Sequence, residues 1–495
     1  MNSNLHMYIL AAPLLTSFFI GIFGRKNRAV MASCVLGSLT VSSILAVVVL
    51  NRVLAIGPIS YTVGAWLPPW GIELLIDPLS WMMLLLIAVV ALVASCAALP
   101  WVNRELADRQ HLFFILYLIL VAGMMGLVLT ADAFNLYVLL EITSITTYGL
   151  IAMGRGRAPL SSFNYIIMGS IGASFYLLGV GYLYLLTGTL NMADIAQFLP
   201  ALQGSFALGT ALAFVLIGLW IKMAFFPLHG WLPMAYSQAP NGAGVMIAPL
   251  MTKVTVYLML RLMFSFIAPG FAMYETDLQS VIVWAAAIGI ISASALALGQ
   301  RDLKKMLTYI IIAEVGYMVG GAWLVNEQGM TGTVLHIVND ALMTLCLFLA
   351  ALAIAWRTGS LKFENLTNLY QKMPLTMAAF TVGAFAMIGV PPTCGFFSKW
   401  YLLLGGIEAG QWIYVIALIF SSLVNAVLFF RIIEYAYFGK GGDSHDHVHI
   451  ERNEAPAMIL SPLLLTAIAL IVVGLSSGPL VENLIKLAIP ASFFG

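Results

Sequence analysis

Hydrophobic residues along the chain are grouped into blocks of about 20, which is the length of helix that crosses roughly 30 Å of hydrocarbon. A helix also satisfies its own backbone hydrogen bonds where water is absent. The pattern predicts an all-α polytopic membrane protein without strands, because it lacks the short alternating segments of a membrane β-barrel. The fourteen predicted spans are 7–23, 29–50, 79–99, 112–130, 134–153, 161–187, 207–226, 244–267, 280–299, 304–325, 332–355, 375–403, 410–436 and 457–476.

Composition supports the membrane assignment and excludes several other classes. Only 9% of the 495 residues are charged, whereas an average soluble domain has about 25%. A net charge of +1 gives no electrostatic basis for binding nucleic acid. The four cysteines lie in or beside apolar runs without metal-type spacing, so neither a metal nor a cofactor is expected. The N-terminus lacks a basic region and a cleavage site, so the first block is expected to be a retained span.

The charges of the loops predict the orientation. Fifteen basic residues occupy the loops after spans 1, 3, 5, 9, 11 and 13, whereas the other side has only Arg52 and Lys486. Basic loops are retained in the cytoplasm, so both termini are expected to face outside. The fifteen are Arg25, Lys26, Arg28, Arg104, Arg109, Arg155, Arg157, Arg301, Lys304, Lys305, Arg357, Lys362, Lys372, Lys440 and Arg452.

Ionisable side chains also lie inside the predicted spans, where each costs about 2.5–3.5 kcal/mol at the bilayer centre. Glu141, Lys222 and Lys253 lie far from span ends or directly before a helix break, so a functional role is favoured. Burial disfavours the charged form of such groups and an opposite charge favours it, so separating a pair releases a proton. The others are Arg261, Lys399, Arg431, Glu314, Asp340, Glu434 and His336, of which Arg261 and the Arg431–Glu434 pair are interpreted as structural.

Two spans contain helix-breaking residues close to a lysine. Span 7 contains Pro227 shortly after Lys222, and span 12 contains Pro391 and Pro392 before Lys399. Proline removes a helical hydrogen-bond donor, and the freed carbonyls need polar partners inside a membrane. Matching breaks in two halves of a chain are typical of transporters built from inverted repeats.

The spacing of the charges supports the same division. Glu141 precedes Lys222 by 81 residues, and Glu314 precedes Lys399 by 85. We therefore predict two inverted five-helix repeats, spans 4–8 and spans 9–13. The predicted regions are N-terminal peripheral helices at 1–110, a first repeat with broken helix 7 at 111–267, a second repeat with broken helix 12 at 280–436, and a C-terminal loop with the last helix at 437–495.

Several motifs of the sequence are similar to those of one known family. They are Leu136 through Glu141, Lys222 through Pro240, Thr252 through Tyr257, Asp302 through Lys305, Gly316-Tyr317 and Gly389 through Lys399. With them the chain resembles the antiporter-like membrane subunits shared by respiratory complex I, membrane-bound hydrogenases and Mrp-type sodium/proton antiporters, and most resembles those of the MrpD (MnhD) type. The resemblance implies a bacterial or archaeal cytoplasmic membrane and a hydrated axis of ionisable residues.

The resemblance also implies residue roles. Glu141 and Lys222 would be the coupled pair of the first half-channel, Lys253 a bridging lysine, His336 a middle relay and Lys399 the exit lysine. His229 would lie at the break in span 7. The sequence departs from the family pattern at Glu314, where Gln is usual, and at Asp340 and Thr344, where a second His and a Lys are frequent. Asp340 lies one turn from His336 and is a candidate to replace the missing groups.

The expected function is proton movement coupled to sodium exit, as one membrane subunit in a lipid bilayer with other subunits as partners. Alternatives are a proton-pumping subunit of a complex I-like NADH-quinone oxidoreductase or a membrane-bound hydrogenase, a partner subunit of an inorganic-carbon uptake complex, and a non-conducting scaffold. No motif for a redox centre is present in the sequence, so a transporter subunit rather than an enzyme is expected. The His445–His449 tract offers ligands for a divalent metal, but alternate histidines in a loop make a poor closed site, so no bound metal is expected.

Overall fold

A computed structural model describes residues 5–24, 27–267, 278–438 and 452–490. The helices of the first half are α1 Leu5–Phe19, α2 Arg28–Ile56, α3 Pro78–Glu105, α4 Gln110–Leu129, α5 Ala133–Ala152, α6 Ala158–Thr187, α7 Met192–Leu202, α8 Phe206–Met223, α9 Leu232–Gln238, α10 Asn241–Ile247 and α11 Met251–Leu262. Those of the second half are α12 Leu278–Leu298, α13 Leu303–Ala322, α14 Glu327–Thr358, α15 Pro374–Ile388, α16 Cys394–Glu408, α17 Trp412–Phe438 and α18 Ala457–Leu475.

The prediction of an all-α polytopic membrane fold is confirmed. Within the described residues, twelve helical segments are long and apolar enough to cross a membrane, and one of them, Asn241–Ile267, contains both α10 and α11. Each coincides with one predicted span, with ends that differ by a few residues. The two other predicted spans are also helical: span 10 is the continuous α13, and span 12 is divided into α15 and α16. The His445–His449 tract lies outside the described residues.

The prediction that the chain has no strand is wrong between α2 and α3. Strands Ile59–Thr62 and Glu73–Ile76 form an antiparallel hairpin in which Ile59 pairs with Ile76. The hairpin lies outside the apolar spans, where the argument that a backbone must be helical does not apply. It connects to the body of the protein through the backbone of Ala131, whose N–H donates to the carbonyl of Glu73.

Five spans in each half pack in the same order, and in the second half one of the five is divided into α15 and α16. In the first half α4 packs on α5, α5 on α6, α6 on α8, α8 on α11, and α11 on α4. In the second half α12 packs on α13, α13 on α14, α14 on α15 and α16, these two on α17, and α17 on α12. The packing supports two five-helix units. Their inverted relation and the region boundaries stay predictions.

The second helix of each unit begins with the same local structure. Asp132 caps α5 by accepting a hydrogen bond from the backbone of Asn135, and Asp302 caps α13 in the same way. An acceptor at this position satisfies one of the free N–H groups of the first turn. The N–H of Ala133 then donates to the carbonyl of Leu190, and the equivalent N–H of α13 donates to Leu361. The two helices therefore begin with the same cap and the same kind of backbone contact.

Candidate functional site: a line of buried charges

The first helix break places Lys222 in the last turn of α8. Ala224 has a left-handed backbone with φ of 58°, and Pro227 has no N–H to continue a helix. The carbonyl of Ile221 accepts from the backbone N–H of Ala224 at 3.2 Å and from the indole of Trp231 at 2.9 Å. The break is thus closed by a polar partner, as a break in a membrane span requires.

Lys222 forms an ion pair with the acid predicted as its partner. Its Nζ lies 2.9 Å from Oε1 of Glu141 and donates to the hydroxyl of Ser144 at 2.7 Å. The Lys222 side chain is 4% exposed, whereas that of Glu141 is 25% exposed. The two helices α5 and α8 therefore share a charge pair that is open on the side of the acid.

The second break positions Lys399 in an equivalent way. Gly389 has φ of 94° and ends α15, and α16 begins at Cys394. Lys399 Nζ donates to the freed carbonyl of Met387 at 2.6 Å. Its ammonium group also lies 5.0 Å from the ring centroid of Tyr317, a distance at which a cation is attracted to the ring face. In this break the lysine itself satisfies the carbonyl that the break releases.

Glu314 connects Lys399 to His336. One carboxylate oxygen of Glu314 lies 2.6 Å from Nε2 of His336, and the other lies 3.7 Å from Nζ of Lys399. The Nδ1 atom of His336 is 2.8 Å from the hydroxyl of Ser398. All of these side chains are buried. The imidazole is held at both nitrogens, an arrangement in which a proton can enter at one nitrogen and leave at the other.

A third cluster lies between the two units. Lys253 on α11 forms an ion pair with Asp340 on α14 at 2.8 Å, and both side chains are 0% exposed. Thr344 donates to the second oxygen of Asp340 at 3.0 Å and also accepts from Lys253 at 3.3 Å. His336, Asp340 and Thr344 are spaced four residues apart on α14 and share one face of that helix. The Lys253–Asp340 pair therefore lies within one turn of α14 from the His336–Glu314 contact.

These seven ionisable residues are called the buried relay below: Glu141, Lys222, Lys253, Asp340, His336, Glu314 and Lys399. Within the described residues, no direct hydrogen bond joins Lys222 to Lys253. A cavity of about 10 Å³ lies at this point, lined by Lys222, Ser144 and Thr255 among others. It is about the size that one water molecule needs, and Met251 and Val254 on the helix of Lys253 also line it.

Equivalent positions on the second helix of each unit contact the lysine of that unit with different side chains. Ser144 is twelve residues after the cap Asp132, and Glu314 is twelve residues after the cap Asp302. Each contacts the lysine at the break of its own unit. The carboxylate of the first unit, Glu141, is therefore displaced by almost one turn relative to that of the second. The displacement brings Glu141 toward the outer face of α5.

Two further residues, His229 and Lys304, lie outside the buried relay. His229 lies in the loop between α8 and α9, where its ring stacks on Phe226 and its Nδ1 has no hydrogen-bond partner. It has no contact with the buried relay among those the described residues show. Lys304, which is expected in a basic loop, is buried and donates to Asn241 Oδ1 at 3.0 Å and to the carbonyl of Ala239. It secures the connection between α9 and α10.

A further ion pair lies where α3 begins. Asp77 caps α3 by accepting a hydrogen bond from the backbone N–H of Ser80. Arg261 donates two hydrogen bonds to the same carboxylate at 2.6 and 2.7 Å. Burial raises the pKa of Asp77, but the charge of Arg261 and the hydrogen bonds from Arg261 and Ser80 together outweigh it and hold the pKa below its usual value. Asp77 is therefore charged at every physiological pH.

Comparison with known proteins places the chain among transmembrane subunits. A family model described as "NADH:quinone oxidoreductase/Mrp antiporter, TM" matches residues 130–425, more than half of the chain. The matched segment contains every residue of the buried relay. It begins just before the cap of α5 and ends within α17.

Two curated relatives and one solved structure match over nearly their whole length. NADH-quinone oxidoreductase subunit N of Desulforudis audaxviator is 41% identical, and the match covers 99% of each chain. A Na(+)/H(+) antiporter subunit of Alkalihalophilus pseudofirmus is 28% identical, with 98% of this chain and 97% of the relative covered. A chain of the membrane-bound sulfane sulfur reductase, an archaeal respiratory membrane complex, superposes with a TM-score of 0.89 at 31% identity, covering 98% of this chain and 97% of that one.

Proposed function

Because the chain belongs to the NADH:quinone oxidoreductase/Mrp antiporter transmembrane family and is an antiporter-like membrane subunit, we propose that it moves protons across the membrane along the buried relay. The observation that carries this proposal is the succession of three buried charge clusters through both five-helix units. Each charge placed in the bilayer interior costs several kcal/mol without compensation. An anchoring protein has no need of seven such groups.

Each cluster has a role that follows from its contacts. Lys222 is the switching base, and Glu141 is the partner whose approach or withdrawal changes the affinity of Lys222 for a proton. Lys253 and Asp340 form the bridge between the two units. His336 receives the proton on α14 and exchanges it with Glu314, and Lys399 is the opposite gate. A water molecule in the small cavity beside Lys222 provides the step toward Lys253.

The position of Glu141 favours a membrane partner subunit. Its side chain is 25% exposed in the middle of α5, on a face that also presents Val138, Ile142 and Ile145. A partly exposed carboxylate facing lipid is costly, whereas a neighbouring subunit would cover it. We place the assembly in a bacterial or archaeal cytoplasmic membrane with both termini outside, since the basic loops cluster on the opposite side.

The force that drives the relay distinguishes two candidate assemblies. In the first, proton movement is coupled to sodium exit, in keeping with the Na(+)/H(+) antiporter named for the Alkalihalophilus relative. In the second, redox chemistry in other subunits drives the same relay, and the 41% identity to NADH-quinone oxidoreductase subunit N favours this candidate. Purifying the assembly and identifying its other chains separates them. Iron–sulfur subunits would support redox drive, and small cation-antiporter subunits would support sodium coupling.

The relay itself is tested in vesicles that contain the intact assembly. Proton movement is measured with an internal pH dye for wild type, Lys222→Ala and Glu141→Gln. Both variants should reduce proton movement at least tenfold while the subunits still assemble. Glu482→Gln and Lys486→Ala are the controls, because they break an exposed ion pair of 3.0 Å between the same residue types. Normal proton movement in assembled Lys222→Ala would contradict the proposal and favour a non-conducting scaffold.

A further inference from the structure

One face of α11 continues beyond the buried relay toward the end of the helix. Lys253, Tyr257 and Arg261 are spaced four residues apart, so their side chains lie on the same side of α11. Lys253 to Arg261 spans about 12 Å along the helix axis. The stripe therefore leads from the central ion pair to the side of the membrane where α3 begins.

Tyr257 is the middle member of this stripe. It is fully buried, and its hydroxyl donates to the carbonyl of Val128 at 2.6 Å. The same hydroxyl oxygen accepts hydrogen bonds from Arg261 at 3.0 and 3.2 Å. A hydroxyl can accept one proton while it gives up another, so this oxygen has the chemistry of a relay atom.

The Arg261–Asp77 pair closes the outer end of the stripe. Two parallel hydrogen bonds of 2.6 and 2.7 Å hold the guanidinium on the carboxylate. The side chains are 12% and 20% exposed, so the pair lies at the boundary between the packed interior and the surface. Bidentate pairs of this kind are strong and have a fixed geometry.

A cavity begins immediately outside the pair. It has a volume of about 430 Å³ and is lined by Glu73, Thr130, Arg261 and Ser265 together with apolar side chains. Glu73 is held there by hydrogen bonds from Ser60 and Asn191. The cavity is large enough for many water molecules. Separation of Arg261 from Asp77 would therefore expose the Tyr257 hydroxyl to water.

We propose that Tyr257 and the Arg261–Asp77 pair form a side branch of the proton route, which joins Lys253 to this cavity and which the ion pair keeps closed. The inference rests on the proposed function of the buried relay. In the resting arrangement the guanidinium of Arg261 donates hydrogen bonds to the hydroxyl oxygen of Tyr257. These bonds block the connection between Tyr257 and the cavity. The branch gives the central lysine access to one side of the membrane without passage through Lys222 or Lys399.

The test measures passive proton leak in vesicles containing the intact assembly, under a pH gradient and without a cation gradient. Asp77→Asn removes the charge but keeps an oxygen that can cap α3. Arg261→Gln breaks the same pair from the other side. Both should raise the leak at least fivefold. Adding Tyr257→Phe to Asp77→Asn should return the leak to the wild-type level.

Tyr117→Phe is the matched control for the tyrosine variant. Tyr117 is also fully buried and also donates to a backbone carbonyl, that of Ala91, but it contacts no charged side chain among the described residues. Added to Asp77→Asn, it should leave the raised leak unchanged. A wild-type leak in both Asp77→Asn and Arg261→Gln, or a raised leak that Tyr257→Phe does not reduce, would overturn the branch. Lys222→Ala in the same vesicles separates the two proposals. Normal coupled proton transport by this variant would overturn the relay, whereas the leak measurements test the branch.

Discussion

Replacing Asp340 with Asn removes one charge of the central pair while keeping the size of the side chain. Lys253 Nζ lies 2.8 Å from Asp340 Oδ2, and neither side chain is exposed. Two unit charges at this distance attract by about 6 kcal/mol at an effective dielectric constant of about 20. Part of this attraction offsets desolvation. Removing one partner of a buried pair costs about 3–5 kcal/mol, because the other charge is left without compensation.

A cost of this size falls on the protonated form of Lys253, which the proposed route must pass through. Since about 1.4 kcal/mol corresponds to a tenfold change in rate, proton movement in Asp340→Asn vesicles should fall between about 100-fold and several thousand-fold. The thermal midpoint of the purified assembly should fall as well. The assay is dye-detected proton movement at matched amounts of assembled protein.

A double variant separates loss of stability from loss of function. Lys253→Met together with Asp340→Asn removes both charges, so no buried charge is left without compensation. The thermal midpoint should recover, whereas proton movement should stay at background. Wild-type proton movement in Asp340→Asn, or transport by the double variant, would refute the assignment of this pair to the proton route.

Three further predictions concern the second helix break, the middle relay at His336 and the carboxylate of Asp77. Gly389→Ala should destabilise the assembly by about 1–2 kcal/mol, measured as a lower thermal midpoint, because φ of 94° is unfavourable for alanine and its Cβ would lie 3.3 Å from Lys399; an unchanged midpoint would contradict this. Ser398→Ala removes the hydrogen bond to His336 Nδ1 and should slow proton movement about tenfold or less, whereas His336→Gln should slow it more; equal rates in all three proteins would exclude His336 from the relay. The stabilisation that the charge of Asp77 provides should stay constant from neutral pH down to about pH 4 and decline at lower pH, because a lowered carboxyl pKa gives stability that is lost only as pH falls through it; thermal midpoints of wild type and Asp77→Asn across this range check the sign.

The helices and two of their breaks can be predicted because they depend on local sequence. Block length determines the spans, and the prolines after Lys222 and before Lys399 indicate two breaks. A third break, between α10 and α11, does not emerge from the span pattern although Pro249 marks it. The hairpin is missed because the argument from the bilayer does not extend to a loop outside it. Both the break at Pro249 and the hairpin depend on short segments, which a pattern of blocks of about 20 residues does not resolve.

The pairing of charges is predictable only where a repeat supplies a second example. The matching intervals of the two halves lead to the Glu141–Lys222 contact of 2.9 Å and to the longer Glu314–Lys399 contact of 3.7 Å. The partner of Lys253 is not predicted, since Asp340 is 87 residues away and no repeat relates them. Its position opposite Lys253 depends on how α11 packs against α14, which spacing within one helix does not determine.

Hydroxyl partners are missed for the same reason. Ser144, Thr344 and Ser398 each contact an ionisable side chain on another helix. Serine and threonine are frequent in membrane helices, where most of them bond to their own backbone, so their presence in a span does not single them out. Only the facing helix distinguishes the three that complete the charge clusters. Ser144 is the clearest example, because the equivalent position in the second unit is Glu314.

The most direct measurement follows protonation of the buried carboxyl groups during transport. Infrared difference spectra of the reconstituted assembly, recorded between resting and energised states, report the carbonyl stretch of protonated acids. We predict a carboxyl band that changes on energisation, and Glu314→Gln and Asp340→Asn should each remove part of it. Energised wild-type protein that moves protons while no carboxyl band changes, or a band that both variants leave intact, would contradict proton passage across these residues.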